Sequence, residues 1–171
     1  RLYKNLIIKL VAYMIKLLVN ISEQKLYVKN QNKTLKTYFI STGKAGVGQE
    51  SGSYKTPLGC HEICEKIGAE CLINTIFVGR KPTGDIYSEE FALKNNNNDF
   101  ILTRILWLSG LEPGKNLGGS VDTKSRYIYI HGCPDRSPMG IPLSHGCIRM
   151  RNIDIIELFE RVDVGTLVDI K

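Results

Sequence analysis

IKLLVNISEQKLYVKNQNKTLKTYFIS, residues 15 to 41, divides into three short runs, IKLLVNI, QKLYVK and LKTYFIS, rich in β-branched and aromatic residues. Polar clusters such as Lys29-Asn30-Gln31-Asn32 separate them. Runs of this length and composition, bounded by turn residues, predict strands. The same texture continues in HEICEKI (61 to 67) and NTIFVG (74 to 79), then in ILTRILWLSG (101 to 110) and RYIYIHG (126 to 132), the last two separated by the glycine-rich LEPGKNLGGS. The polar tract KNNNNDF, 94 to 100, reads as an exposed loop. Only in NIDIIELFERV, 152 to 162, does the apolar period change from two to 3.6, with Ile155, Leu158, Phe159 and Val162 on one stripe. This predicts one short helix, with Asn152 as its N-cap and Asp154 at its positive end. After Gly165, TLVDI returns to strand character, which brings the carboxyl terminus back to the sheet. Many short strands with one late helix predict a mainly β sandwich or barrel.

A chain of 171 residues is long enough for one core and short for two. The strand pattern begins at Met14, so the expected division is an extension over 1–13 and a domain over 14–171. Within RLYKNLIIKLVAYMIKLLVN, residues Tyr3, Leu6, Ile7, Leu10 and Met14 fall at helical spacing, as in an amphipathic cap or the remnant of an anchor. Lys9 and Lys16 interrupt the apolar run and no small-residue cleavage site follows, so neither a membrane span nor an export signal is expected in this stretch. The net charge of +6 comes from scattered lysines and arginines with no basic run. A carboxylate-bearing or cell-wall substrate suits that charge as well as nucleic acid does, and no nucleic-acid partner is expected. In STGKAGVGQESGSYKTPLG, 41 to 59, Ala45 follows Gly43-Lys44 where a phosphate-binding loop needs Ser or Thr, and the third glycine of a dinucleotide fingerprint is missing. These glycines are read as turns bordering a cleft, and no cofactor is expected. Thr56 and Pro57 shape the loop.

His-Gly-Cys occurs twice, at 131 to 133 and at 145 to 147. A zinc site on His131, Cys133, His145 and Cys147 is one reading, but the i, i+2 spacing is a poor match to metal-ligand spacings, and no metal is expected. The other reading divides the labour: one triplet lends its histidine and the other its cysteine. An imidazole stabilises a nearby thiolate and passes the proton to a leaving amine, while glycine beside the thiol lets a substrate backbone approach. Five cysteines, Cys60, Cys64, Cys71, Cys133 and Cys147, leave one thiol unpaired even if two disulfides form, for example Cys64 with Cys71.

His131-Gly132 followed by Ser144-His145-Gly146-Cys147-Ile148-Arg149-Met150 resembles the signature of the L,D-transpeptidase catalytic domain, a family of bacterial cell-wall enzymes. LLVNISEQKLYV, YFISTGKAG, Thr56-Pro57-Leu58-Gly59 and TRILWLSGLE are similar to other parts of that domain, so the resemblance covers residues 14 to 171. It implies a sandwich-like β domain in which Cys147 attacks the third residue of a peptidoglycan stem, expels the terminal D-alanine, and passes the acyl group to an amine of a second stem. His131 would take the thiol proton. The N–H groups of Gly146 and Cys147, with His145, would form the oxyanion hole. Donor and acceptor tetrapeptide stems are the expected partners of a monomer in the cell envelope.

Arg149 lies two residues past Cys147, on the same strand face, and is assigned to a substrate carboxylate, with a structural ion pair as the other reading. Ser144 either contacts substrate or holds the loop. Gly132 and Tyr129 flank His131 and are assigned to substrate binding; Tyr129 and Arg104 also suit cleft support. Cys133 departs from the family pattern and is either a buried spectator or a disulfide partner for Cys147. Two other functions remain open on the same residues: an L,D-carboxypeptidase with water as acceptor, and a peptidoglycan-binding module with little activity.

Overall fold

In the computed structural model, residues 15–96 and 99–171 are described; the expected extension over 1–13, with Met14, lies outside them. The stretch quoted above forms β1 (Ile15–Asn20), β2 (Lys25–Asn30) and β3 (Lys33–Phe39), an antiparallel meander. Its period of two is real: Leu17 and Val19, Leu26 and Val28, and Tyr38 point into the core. Further along are β4 (Gly59–Ile67), β5 (Thr75–Val78), β6 (Lys81–Ile86), β7 (Ile101–Gly110), β8 (Tyr129–Gly132), β9 (Ile148–Met150) and β10 (Leu167–Ile170). Among the described residues two α-helices accompany them, α1 (Glu89–Asn95) and α2 (Asn152–Arg161).

The strands follow the order β3-β2-β1-β10-β4-β7-β5-β6, and β8 joins the other edge of β7 and carries β9. The carboxyl-terminal strand β10 lies parallel to β1 and antiparallel to β4, as the return to strand character predicts. The sheet rolls over on itself. Just past β3, Ser41 exchanges both backbone hydrogen bonds with Arg149 of β9, at 3.0 and 2.9 Å. The roll is therefore sewn shut beside Cys147. The two layers face each other over one core that draws Leu17, Leu26, Ile63, Leu106, Ile130, Ile148 and Ile170 from seven strands. This is the mainly β, sandwich-like architecture expected from the sequence.

Helix α2 lays Ile155, Leu158 and Phe159, with Val162 just after it, into that core. The Lys66 ammonium donates to the carbonyls of Phe159 and Val162 at 2.7 and 2.6 Å, placing a cation on the negative end of the helix. Asn152 does not cap it. The N-cap position is Arg151, with no side-chain cap, and Asn152 is the buried first helical residue. Its amide donates to Asn74, Cys133 and Asp135 and accepts from Thr103 Oγ1 at 2.6 Å. An amide surrounded by partners on three segments gains more than a solvent-exposed cap would. The helix α1 is additional to the one helix expected. Ser88 caps it by accepting from Phe91 N–H, and Glu89 and Glu90 occupy its first turn.

Gly132 sits where β8 passes between β7 and α2, and a Cβ there would stand 2.5 Å from Asn152 Oδ1 and 2.7 Å from the Leu102 carbonyl oxygen. One obstacle is backbone and cannot turn aside. Gly132→Ala is expected to cost about 2 kcal/mol or more by overpacking, which lowers Tm by roughly 4–8 °C in a chain of this size. A thermal melt checks this, and an unchanged Tm would contradict it.

Candidate active site

The parallel pairing of β8 and β9 sets Ile130 against Ile148 and His131 against Arg149. One step earlier, Cys147 comes opposite Tyr129. Alternation then sorts the side chains: Ile130, Ile148 and Met150 enter the core, while Tyr129, His131, Cys147 and Arg149 share the other face. The two His-Gly-Cys triplets thus contribute one histidine and one cysteine to a common face.

His131 is 1% exposed, and its Nδ1 lies 2.7 Å from the Gly132 carbonyl oxygen. A carbonyl has no proton to give, so Nδ1 carries the hydrogen and the lone pair of the neutral ring belongs to Nε2. Burial holds the imidazole below its ordinary pKa, against the opposing pull of the Gly132 hydrogen bond and of Asp99. The Cys147 residue keeps partial exposure. Its Sγ lies 3.4 Å from both the Tyr127 carbonyl oxygen and the Tyr129 N–H. Burial of the sulfur pushes the thiol up to about 12, opposed by the Tyr129 N–H and by the nearby Arg149 and Arg126 cations. Burial thus favours the neutral form of both groups, imidazole and thiol.

Ser144 holds the loop rather than facing solvent. Its hydroxyl donates to the Cys147 carbonyl and accepts from Gly146 N–H at 3.1 Å. The Gly146 N–H expected at the oxyanion hole is therefore already engaged. Among the described residues, the N–H groups of His145 and Cys147 have no hydrogen-bond partner. Gly146 adopts φ +120°, and a Cβ there would stand 3.1 Å from the Lys55 carbonyl oxygen. Thr56 Oγ1 accepts from Gly43 N–H at 2.8 Å and donates to the Gly146 carbonyl at 2.9 Å, so the loop of residues 43–56 is fastened to the thiol loop.

The residues assigned to substrate binding are differently employed. The Arg149 guanidinium is buried and donates to Asp99 Oδ1 at 2.6 Å. His145 Nδ1 donates to Asp99 Oδ2 at 2.6 Å from an exposed ring. Burial opposes the charge on Asp99, but the His145 hydrogen bond and the Arg149 cation outweigh it and hold the carboxyl below its ordinary value. Arg149 is thus an internal ion pair, and no substrate carboxylate replaces Asp99 without breaking it. Gly132 is a packing glycine. Tyr129 is buried, with its hydroxyl accepting from Arg80 at 3.1 Å. Arg104 supports the sheet, donating to the carbonyls of Cys71 and Thr103.

Asp99 lies in the tract read as a plain loop, and Phe100 beside it is buried. An acidic residue immediately before Phe100-Ile101-Leu102, where the longest strand starts, was the available signal. Arg126 was also missed: it binds the carbonyls of Gly48, Gln49 and Lys55 and pins the 43–56 loop to the residue before Tyr127. All five cysteines are free, so Cys64 and Cys71 are not bridged. Cys133 is buried against the Met150 carbonyl, and burial pushes its thiol up to about 11. In register it lies four residues beyond the level of Cys147, about 13 Å at ~3.3 Å per residue. A disulfide needs Cα atoms within roughly 7 Å, so the two do not pair without unravelling β8. Among the described residues, no three His, Cys, Asp or Glu gather into a metal-binding group, and no helix is long and apolar enough to cross a membrane.

His61 is the second buried histidine, with Nδ1 on the Gly59 carbonyl and Nε2 on Thr123 Oγ1, and burial lowers its pKa as it does that of His131. Unfolding lets both rings take protons near pH 6.5, before the folded rings do. Their contribution to stability is complete above that pH and is lost as the pH falls below it. Tm is expected to fall between pH 7.5 and pH 5, and a flat profile in calorimetry would contradict this.

The family model of the L,D-transpeptidase catalytic domain (YkuD) matches residues 15–170. The chain belongs to this family. The probable L,D-transpeptidase YbiS of Escherichia coli (strain K12) is 51% identical over 43 residues, which are 25% of this chain and 14% of that protein. L,D-transpeptidase 3 from Mycobacterium tuberculosis matches with a TM-score of 0.56 at 18% identity, over 92% of this chain and 61% of that one. An Enterococcus faecium L,D-transpeptidase mutant matches at 0.54 and 17% identity, over 92% and 49%. At these identities the solved structures establish a shared fold, and this chain spans about half to three fifths of their lengths.

Proposed function

We propose that this protein is a peptidoglycan L,D-transpeptidase that works through an acyl-enzyme on Cys147. The observation that carries the reading is the shared face of β8 and β9, where a partly exposed thiol and a buried neutral imidazole stand together in a chain of this family. Both groups are neutral at rest, so His131 Nε2 takes the thiol proton as sulfur attacks the carbonyl of the third stem residue. The resulting oxyanion is received by the N–H groups of Cys147 and His145. Collapse of the tetrahedral intermediate breaks the peptide bond, and His131 returns the proton to the departing D-alanine amine. An amine of a second stem then attacks the thioester, loses its proton to His131, and releases the Cys147 thiol with a new peptide cross-link. Exposed Lys44 and Lys55, on the loop fastened to Gly146, set two cations on the loop beside Cys147, a charge suited to stem carboxylates.

A substrate of this kind places the protein in the cell envelope. Solved proteins that share this fold include an L,D-transpeptidase in complex with imipenem, L,D-transpeptidase 3 from Mycobacterium tuberculosis with a faropenem-derived adduct, and an avibactam carbamoyl enzyme. Carbapenems are accordingly expected to acylate Cys147 here. The test is mass spectrometry of products from a purified disaccharide-tetrapeptide. A cross-linked dimer with loss of D-alanine supports transpeptidation. Tripeptide without dimer assigns water as the acceptor and makes the enzyme a carboxypeptidase, and unchanged substrate overturns both.

A further inference from the structure

The two polar neighbours of Cys147 Sγ, the Tyr127 carbonyl and the Tyr129 N–H, come from one three-residue segment. Tyr127 holds it in a strained form, with φ +56°. A bulky residue stays in the left-handed region only where its surroundings fix it there. Core packing does not supply that, because Tyr127 is 54% exposed. Arg80 does. Its guanidinium lies 5.0 Å from the Tyr127 ring centroid and 4.4 Å from that of Trp107, and it donates to Tyr129 Oη at 3.1 Å. Trp107 completes the stack, 6.1 Å from Tyr127 and edge-on to Tyr129 at 6.0 Å. One side chain thus grips both ends of the segment that touches the thiol.

Arg80 is itself strained. Gly79 and Arg80 form the two-residue turn between β5 and β6, with φ +55° and +65°. A turn with both central residues at positive φ favours Gly or Asn at the second, and an arginine there costs stability that the hairpin does not recover. Strain therefore sits on both sides of one contact, Arg80 on Tyr127, next to a reactive sulfur.

We propose that Arg80 is a positioning residue for Cys147, a clamp that carries the turn between β5 and β6 onto the Tyr127–Tyr129 segment and so fixes the sulfur's hydrogen-bond partners. Its consequence for the reaction rests on the reading of Cys147 as nucleophile; its direct consequence, for the thiol's own reactivity, does not. The Tyr129 N–H favours the thiolate, so losing Arg80, which loosens that donor, makes the thiol harder to ionise.

The test is iodoacetamide labelling of the full chain between pH 7 and 10, quantified on the Cys147 peptide, in the wild type, Arg80→Gly and Arg80→Lys. Arg80→Gly relaxes the turn, so the hairpin still forms. Its Cys147 labelling is expected to slow about tenfold at a given pH, a displacement of the rate curve by about one unit to higher pH. Exposed Cys60 serves as the internal control and is expected to label as before. Arg80→Lys keeps the charge but not the planar stack, and is expected to fall between the two. A purely structural role would lower Tm without moving the curve. An Arg80→Gly curve that superposes on the wild type overturns the clamp. Wild-type protein that labels normally yet leaves tetrapeptide unchanged overturns the functional reading instead.

Discussion

Replacing Cys147 with alanine is expected to reduce product formation from tetrapeptide to background, a loss of about 10⁴-fold or more, as when the nucleophile of a covalent mechanism is removed. The loss has no internal rescue. Cys133 is buried, lies about 13 Å away by strand spacing and is bonded to the Met150 carbonyl. Cys60, Cys64 and Cys71 belong to β4 and the segment following it. The substitution removes one sulfur from a small satellite of the core formed with Tyr129 and Trp107. It leaves the Ser144 bond to the residue 147 carbonyl intact, so Tm is expected to move by no more than a few degrees. Product assays and a melt on the same preparation check both halves. Activity that persists would remove Cys147 from the mechanism.

His131→Gln is expected to lower kcat/KM by about 10²–10⁴-fold, the range for a lost general acid–base. Glutamine is chosen because its amide N–H can still donate to the Gly132 carbonyl, so the loss reports the missing proton acceptor. Burial keeps both partners neutral at rest. The proton must therefore leave sulfur as the carbon–sulfur bond forms, and a glutamine cannot receive it. The wild-type rate is expected to decline as pH falls through the imidazole's lowered pKa, on the acid side of 6.5. In the variant this acid limb is expected to vanish, and a limb that survives would assign the base to another group.

What could be read in the sequence follows from what each residue reports about itself. Leu17, Val19, Leu26 and Val28 alternate because one face of their strands meets the core, and that pattern is local. The stripe of α2 is local in the same sense, and so is the His-Gly and Ser-His-Gly-Cys motif. β6 was invisible because every one of its residues is exposed and Pro82 and Gly84 interrupt it. α1 spans only seven residues before an asparagine tract, although Ser88, Glu89 and Glu90 signal its start. Asn152 was read as a cap because asparagine suits one; its real partners are Asn74, Thr103, Cys133 and Asp135, which only the fold brings together. Arg149 offered two readings, and the choice fell to Asp99, fifty residues earlier in the chain. The proposed oxyanion donors differ from the expected ones for a similar reason: the Ser144 hydroxyl claims the Gly146 N–H, which residue types alone do not reveal.

Whether Cys147 forms an acyl-enzyme is decided by the intact mass of the full chain after incubation with imipenem, followed by peptide mapping. The expected result is one adduct per chain, of the mass of the opened β-lactam, on the peptide that contains Cys147. It should be absent from Cys147→Ala and slowed in His131→Gln. An unmodified chain, or an adduct on Cys60, Cys64, Cys71 or Cys133 with Cys147 untouched, would contradict it.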